Sequence, residues 1–255
     1  MTQEYMSVPS NAYDRSYFLE HMDGAAAFAQ SHGRSLSPRL AVPFELAQIR
    51  PGLRVLDLGC GRGEIVLQCA SHGADVYGLD YSLAALEIAG RLRIETTATM
   101  GRLSLERGSA LRLPFADETF DLVFMLDIVE HLYPSELHSA FGEARRVLRH
   151  KGKLIVHTMP NANYYRWGYP MYRLAMALLG QTLPRDPRER WYRGETHVNV
   201  QSPRTLRVTL QAAGFPSARV WLKPLSTDQR LSWLTGLPIV DTILCNDILA
   251  VAIKT

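Results

Sequence analysis

The chain has 255 residues, with 28 Lys and Arg against 25 Asp and Glu, for a net charge of +3. That is enough chain for one full α/β core with additions, and so small a basic excess, with no basic tail or dense stripe, argues against a nucleic-acid partner. Cys60, Cys69 and Cys245 are scattered without C-x-x-C spacing, as reduced thiols are; charged residues from Glu4 to Asp23 leave no room for a signal-peptide core. No run approaches the roughly 20 apolar residues of a membrane span, so the expected compartment is cytoplasmic.

Residues 1–50 are expected to form an N-terminal helical cap. Tyr13, Tyr17 and Phe18 fall near helical spacing, and a second segment runs from Pro38 to Ile49, ahead of Pro51-Gly52. Between them lies a polar loop, Ser31 to Ser35. Val55, Leu56 and Leu58 then make the apolar run of a buried parallel strand. Gly59, Gly61 and Gly63 follow at once, and a helical pattern opens at Glu64. A strand that turns through glycines into a helix suits a nucleotide-like ligand, because glycines let backbone approach it and a helix start offers N–H groups. In a dinucleotide fingerprint the third glycine stands three residues after the second. Here Gly63 stands two after Gly61, and Asp57 two before Gly59.

This D-x-G-x-G-x-G pattern resembles the first motif of the class I S-adenosylmethionine-dependent methyltransferases. The resemblance implies a loop of Gly59, Cys60, Gly61 and Gly63 around the methionine part of the cofactor, with Asp57 supporting its ammonium side. Members often close the cofactor site with an N-terminal extension. Arg34 is then a candidate for the cofactor carboxylate and Tyr13 or Tyr17 for the substrate; a packed cap with a solvated arginine is the alternative.

The helix runs to about Ser71, and Gly73 stops it. The next strand, from Ala74, ends at Asp80, where an acidic residue about 20 positions after the loop holds ribose hydroxyls. Tyr81 is read against the adenine, with a surface aromatic as the alternative. Ser82 caps a helix over 83–93, and Leu103 to Arg107 is the third strand. Gly108-Ser109-Ala110-Leu111-Arg112-Leu113-Pro114-Phe115 resembles the family's third motif, with Ser109 where aspartate is usual. A hydroxyl can still hydrogen-bond there without the charge, and the backbone at Ala110 can read the adenine edge. Phe120 to Leu126 is the fourth strand. The following Asp127-Ile128-Val129-Glu130-His131-Leu132 resembles a segment of small-molecule methyltransferases related to the quinone-biosynthesis enzymes. It does not resemble the tetrapeptide of amino-directed DNA methyltransferases. Asp127 or its backbone is expected at the methionine part of the cofactor, and His131 at the methyl-transfer site.

Methyl transfer to a hydroxyl improves as its proton leaves, and an imidazole titrating near neutrality can take that proton. His131 is therefore the candidate general base, and a histidine that merely caps the helix is the alternative. Asp127, Glu130 and His131 also make a conceivable divalent set, but a local cluster is poor evidence for a metal; the site is read as metal-free. A helix over 134–149 and a strand from Lys153 to Thr158 complete the segment, roughly 50–160, that the resemblance covers.

From Asn161 to Val200 tyrosines and tryptophans are interleaved with arginines around an apolar helix, Met171 to Leu179. This insertion is read as a substrate lid, with plain packing and a peripheral membrane contact through 161–193 as alternatives. His197 is the reserve candidate for the base. A helix over 203–213, a strand from Ala218 to Leu222 and a last strand from Asp247 to Ile253 follow, while 225–246 receives no role. The resemblance implies that the last strand runs antiparallel between the fifth and sixth.

The expected fold is α/β: a Rossmann-like, seven-stranded, mostly parallel sheet with helices on both faces. Its parts are a cap (1–50), a cofactor core (51–160), a lid insertion (161–200) and a C-terminal completion (201–255). The expected function is methylation of a small-molecule acceptor by S-adenosylmethionine, at oxygen with a histidine base. N- or C-methylation by proximity and a non-catalytic cofactor-binding scaffold are the alternatives. The oligomeric state is left open.

Overall fold

The computed structural model describes residues 7–95, 101–190, 194–223 and 243–255. A seven-stranded sheet in the order β3-β2-β1-β4-β5-β7-β6 forms its centre. The strands are β1 (Arg54–Leu58), β2 (Asp75–Asp80), β3 (Leu103–Arg107), β4 (Phe120–Leu126), β5 (Leu148–Thr158), β6 (Arg219–Leu222) and β7 (Ile248–Ile253). The first five are parallel, and β7 runs antiparallel to both β5 and β6. That agrees with the expected topology.

The inner strands are apolar along their whole length because both faces are covered. Val55, Leu56, Leu58, Val123, Phe124 and Met125 have essentially no exposure. One face packs on α5 (Pro134–Val147) and α7 (Pro203–Ala212), through Phe141, Val147, Leu206 and Leu210. The other packs on α2 (Pro38–Ala47) and α3 (Glu64–Ser71), through Leu40, Ile65, Val66 and Cys69. Local signals set the helix ends. Pro203 opens α7 behind Ser202, whose Oγ accepts the Thr205 N–H at 3.1 Å, and the Glu136 carboxylate accepts the Tyr133 N–H at 2.8 Å at the start of α5.

β5 departs from the expected bounds. α5 stops at Val147, and the strand begins at Leu148, opposite Phe120, with a bulge before Lys153 pairs Leu122. Leu148 is fully buried, and Lys151 N–H and Gly152 C=O bond the backbone of Lys254. Packing and an extra pairing partner thus override the helical pattern.

The cap is less regular than expected. Short helical turns at Ser10–Ala12 and Tyr17–His21 lead into α1 (Ala25–Ser31) and α2. They pack on α4 (Leu83–Glu95) through Tyr13, Phe18, Phe28, Ile88 and Leu92. α6 (Tyr169–Leu178) follows β5 and buries only Tyr169. Trp191, Tyr192 and Arg193 of the insertion, and most of 225–246, lie outside the described residues. No helix among the described residues is long and apolar enough to cross a membrane.

Candidate active site

Strand order reverses between β1 and β4, and in an open α/β sheet such a switch point opens a crevice at the carboxyl ends of the strands. The loops leaving β1 and β4 face each other there. Gly59 has φ +78°, and a Cβ added to it would stand 2.3 Å from Ile128 Cγ2, so only glycine fits the approach. A cavity of about 290 Å³ occupies the crevice beneath the cap.

Gly59, Gly61, Asp80, Tyr81, Ser109, Ala110, Asp127, His131 and His197 all line this cavity. Residues from five separate stretches of sequence thus meet at one place. Asp57, Cys60 and Gly63 do not line it. Asp57 is buried on β1, Cys60 Sγ packs at Gly78, and Gly63 packs on Ala89. Arg34 is exposed, and Arg39 lines the cavity in its place. Among the described residues, nothing from 160 to 196 lines it.

The glycine loop does not offer all its amides to a ligand. Gly59 and Cys60 N–H donate to Leu79 C=O at 2.8 and 3.1 Å, and Gly61 N–H donates to Asp80 Oδ2 at 3.0 Å. Asp80 Oδ1 accepts the Ser82 N–H at 2.8 Å. The carboxylate that was expected to meet ribose therefore also pins the loop of β1 to the end of β2. Burial raises its pKa, and these backbone donors oppose the rise.

Behind the loop, burial and the charges of Asp80, Glu64 and Asp127 push the Asp57 carboxyl up to about 8. A ligand carrying an ammonium and a sulfonium would relieve that repulsion. The chemistry of these carboxylates, with the closed glycine approach, fits S-adenosylmethionine.

Asp127, at φ +56°, sits in a charge network that sequence reasoning missed. Its carboxylate pairs with Arg39 of α2 and accepts His157 Nδ1–H at 2.5 Å, while His157 Nε2 reaches Asp247 Oδ1 at 2.9 Å. Arg39 Nε also meets Asp23 at 3.1 Å. Burial alone would raise Asp127 and lower His157. The Arg39 and His157 charges instead hold Asp127 below the usual range, and Asp127 and Asp247 carry His157 up to about 9. The available signal was a histidine inside the buried run of β5.

His131 follows on the short turn Val129–His131. Its Nδ1 stands 2.8 Å from Tyr13 Oη and 3.2 Å from Thr196 C=O. The carbonyl can only accept, so that contact puts the proton on Nδ1 and leaves the lone pair on Nε2. Burial, then His197 nearby, push the His131 pKa down to about 3. The His131 and His197 rings are 5.0 Å apart, edge to face. Glu130 is buried beside them and accepts the Thr158 hydroxyl at 2.7 Å; burial and the Asp127 charge raise it to about 8.

Residues 56–156 match the family model described as a methyltransferase domain. The chain is 37% identical over 111 residues to an uncharacterized methyltransferase of Synechocystis, a match covering 44% of this chain and 49% of that protein. It is 29% identical over 189 residues to a demethylmenaquinone methyltransferase of Symbiobacterium thermophilum, covering 70% and 74%. The chain thus spans about half the length of the first relative and about three quarters of the second. A solved phosphoethanolamine N-methyltransferase 2 of Haemonchus contortus, bound to S-adenosylhomocysteine, superposes with a TM-score of 0.62 at 19% identity. That superposition covers 97% of this chain and 61% of the other.

Proposed function

We propose that this chain, whose residues 56–156 match a methyltransferase domain, is a class I S-adenosylmethionine-dependent methyltransferase that methylates an oxygen of a small-molecule acceptor in the cavity between β1 and β4. One observation carries the reading: seven of the ten expected cofactor ligands and the two candidate histidines line the same cavity. Bound S-adenosylmethionine supplies an electrophilic methyl group on a sulfonium. Asp80 holds the ribose hydroxyls, and Asp57 balances the ammonium through the glycine loop. Tyr81 and the backbone at Ser109 and Ala110 border the adenine. Arg39 reaches the cofactor carboxylate from the cap, beside Asp127.

His131 meets the acceptor through Nε2, with His197 behind it. An imidazole held near pKa 3 is a weak base, yet a weak base suffices. An oxygen that gains a methyl group while still protonated is a strong acid, so the proton passes to His131 as the C–O bond completes.

A peripheral membrane contact is the second part of the proposal. Leu174, Leu178 and Leu179 are 65%, 81% and 71% exposed, next to Arg166 and Arg173, the composition of an interfacial helix.

Titration calorimetry with S-adenosylhomocysteine, followed by a methyl-label screen of phenols, sugars, amines and isoprenoid lipids, tests the proposal. Binding with label on an oxygen is the expected result. Label on amines alone would refute the oxygen assignment, and no binding would refute the cofactor site.

A further inference from the structure

Three donor groups from two distant segments of the chain converge on the wall of the cavity. Glu130, His131 and His197 each offer one ligand atom, and these atoms lie within 4.8 Å of one another. The two segments that carry them are fastened together. Asn199 N–H donates to Glu130 C=O at 3.0 Å, and His131 Nδ1 meets Thr196 C=O at 3.2 Å.

We propose that Glu130, His131 and His197 form a binding site for a first-row divalent cation of the Zn²⁺, Mn²⁺ or Co²⁺ kind. Two imidazoles and one carboxylate suit such ions better than Mg²⁺ or Ca²⁺, which take oxygen donors. The outer contacts are those that orient metal ligands: the His131 Nδ1 proton goes to a backbone carbonyl, and the Thr158 hydroxyl fixes one Glu130 oxygen at 2.7 Å. Asp127, the donor that sequence proximity suggests, is taken by Arg39 and His157. His197 replaces it from 66 residues along the chain, 131 to 197.

The inference rests on the cavity being the methyl-transfer site, and it narrows the acceptor to one with two adjacent oxygens, such as a catechol or a vicinal diol. An ion at this wall would hold both oxygens and acidify the hydroxyl to be methylated. That hydroxyl gives its proton to solvent, its oxygen bonds the methyl carbon, and the S–CH₃ bond breaks with its electron pair left on sulfur. His131 then serves as a ligand; without the ion it keeps the proton-accepting role.

The full chain, stripped with chelator, is titrated with Co²⁺ while visible absorption is followed, and S-adenosylhomocysteine binding is measured in parallel. One Co²⁺ per chain is expected, with nitrogen and oxygen coordination bands. Its affinity should fall about tenfold or more in His197→Ala and in Glu130→Gln, with S-adenosylhomocysteine binding retained as the check on folding. If His197→Ala does not fold, His197→Gln makes the same comparison. Absent stoichiometric binding, binding unchanged in both variants, or a thiolate charge-transfer band would overturn the site. Loss of S-adenosylhomocysteine binding in the wild type, with Co²⁺ still bound, would refute the cofactor reading alone.

Discussion

On the proposed reading, Asp80 combines two jobs that separate substitutions can pull apart. Its oxygens accept the Gly61 and Ser82 amides at 3.0 and 2.8 Å while facing the cavity. Asp80→Ala removes both the charge toward ribose and the tie between β1 and β2. Its S-adenosylhomocysteine affinity should fall by about 1–3 kcal/mol in calorimetry, with a lower Tm. Asp80→Asn keeps an acceptor for one amide and should recover part of the Tm but little of the affinity. Equal affinities for wild type and Asp80→Ala would remove the ribose assignment. At His131 the expected signature is the opposite. His131→Ala should keep cofactor affinity and lose roughly 10²-fold in turnover, and full turnover would move the chemistry elsewhere. That Asp80, Gly59 and His131 would meet at one cavity was legible because each belongs to a motif of fixed spacing. Arg39 and His157 were not: an arginine in a cap helix and a histidine in a strand take their meaning from Asp127, which is 88 and 30 positions away (127 − 39 and 157 − 127).

The sheet and its helices were legible for a different reason. Strands buried on both faces read as apolar runs, and glycine or proline marks their ends; only β5, with its bulge, starts elsewhere. The cap resisted because its shape depends on contacts with the core. Arg62, with no exposure, donates to Phe18 C=O at 3.1 Å and Asp23 C=O at 2.9 Å, and pairs with Glu64 at 3.0 Å. One side chain of the glycine loop thereby latches the cap over the cavity. Arg62→Met deletes the latch and leaves the buried Glu64 carboxyl, already raised by its burial, without its partner, at about 3–5 kcal/mol. Hydrogen exchange should then rise across residues 10–31 with β1 and β4 still protected, and uniform exchange in both regions would show that the latch is not local. α6 makes the complementary case, an element with little to pack on. Leu174→Glu with Leu178→Glu should abolish co-sedimentation with anionic vesicles and leave Tm within about 0.5 kcal/mol-equivalent of wild type, as exposed substitutions do. Vesicle binding that survives the pair would end the membrane reading.

At the scale of the molecule, the site makes stability depend on pH; His157 and Asp57 set the sign, and Glu130, also raised to about 8, tilts the same way as Asp57. His157 titrates near 9 in the fold against an ordinary 6.5, because Asp127 and Asp247 flank it. Its contribution is fully present below about pH 6.5 and is lost as pH climbs through about 9. At about 1.36 kcal/mol per unit this amounts to roughly 3 kcal/mol. Asp57 is raised from 3.8 to about 8, so the proton it keeps in the fold costs more stability as pH rises between those values, and the cost grows no further above them. Both groups tilt the same way, and the ligand-free protein should lose Tm steadily from pH 6 to pH 9. S-adenosylhomocysteine carries the ammonium that Asp57 lacks, so saturating amounts should flatten the slope below pH 8 and spare the slope above it. His157→Gln should do the reverse, lowering Tm at pH 6.5 and levelling the profile above pH 8 while the Asp57 slope below pH 8 remains. Thermal melts of both proteins, with and without the ligand, separate the two contributions. A wild-type Tm that holds level to pH 9 would mean that His157 is neutral in the fold, and the Asp127–His157–Asp247 chain would then be a set of hydrogen bonds without the imidazolium.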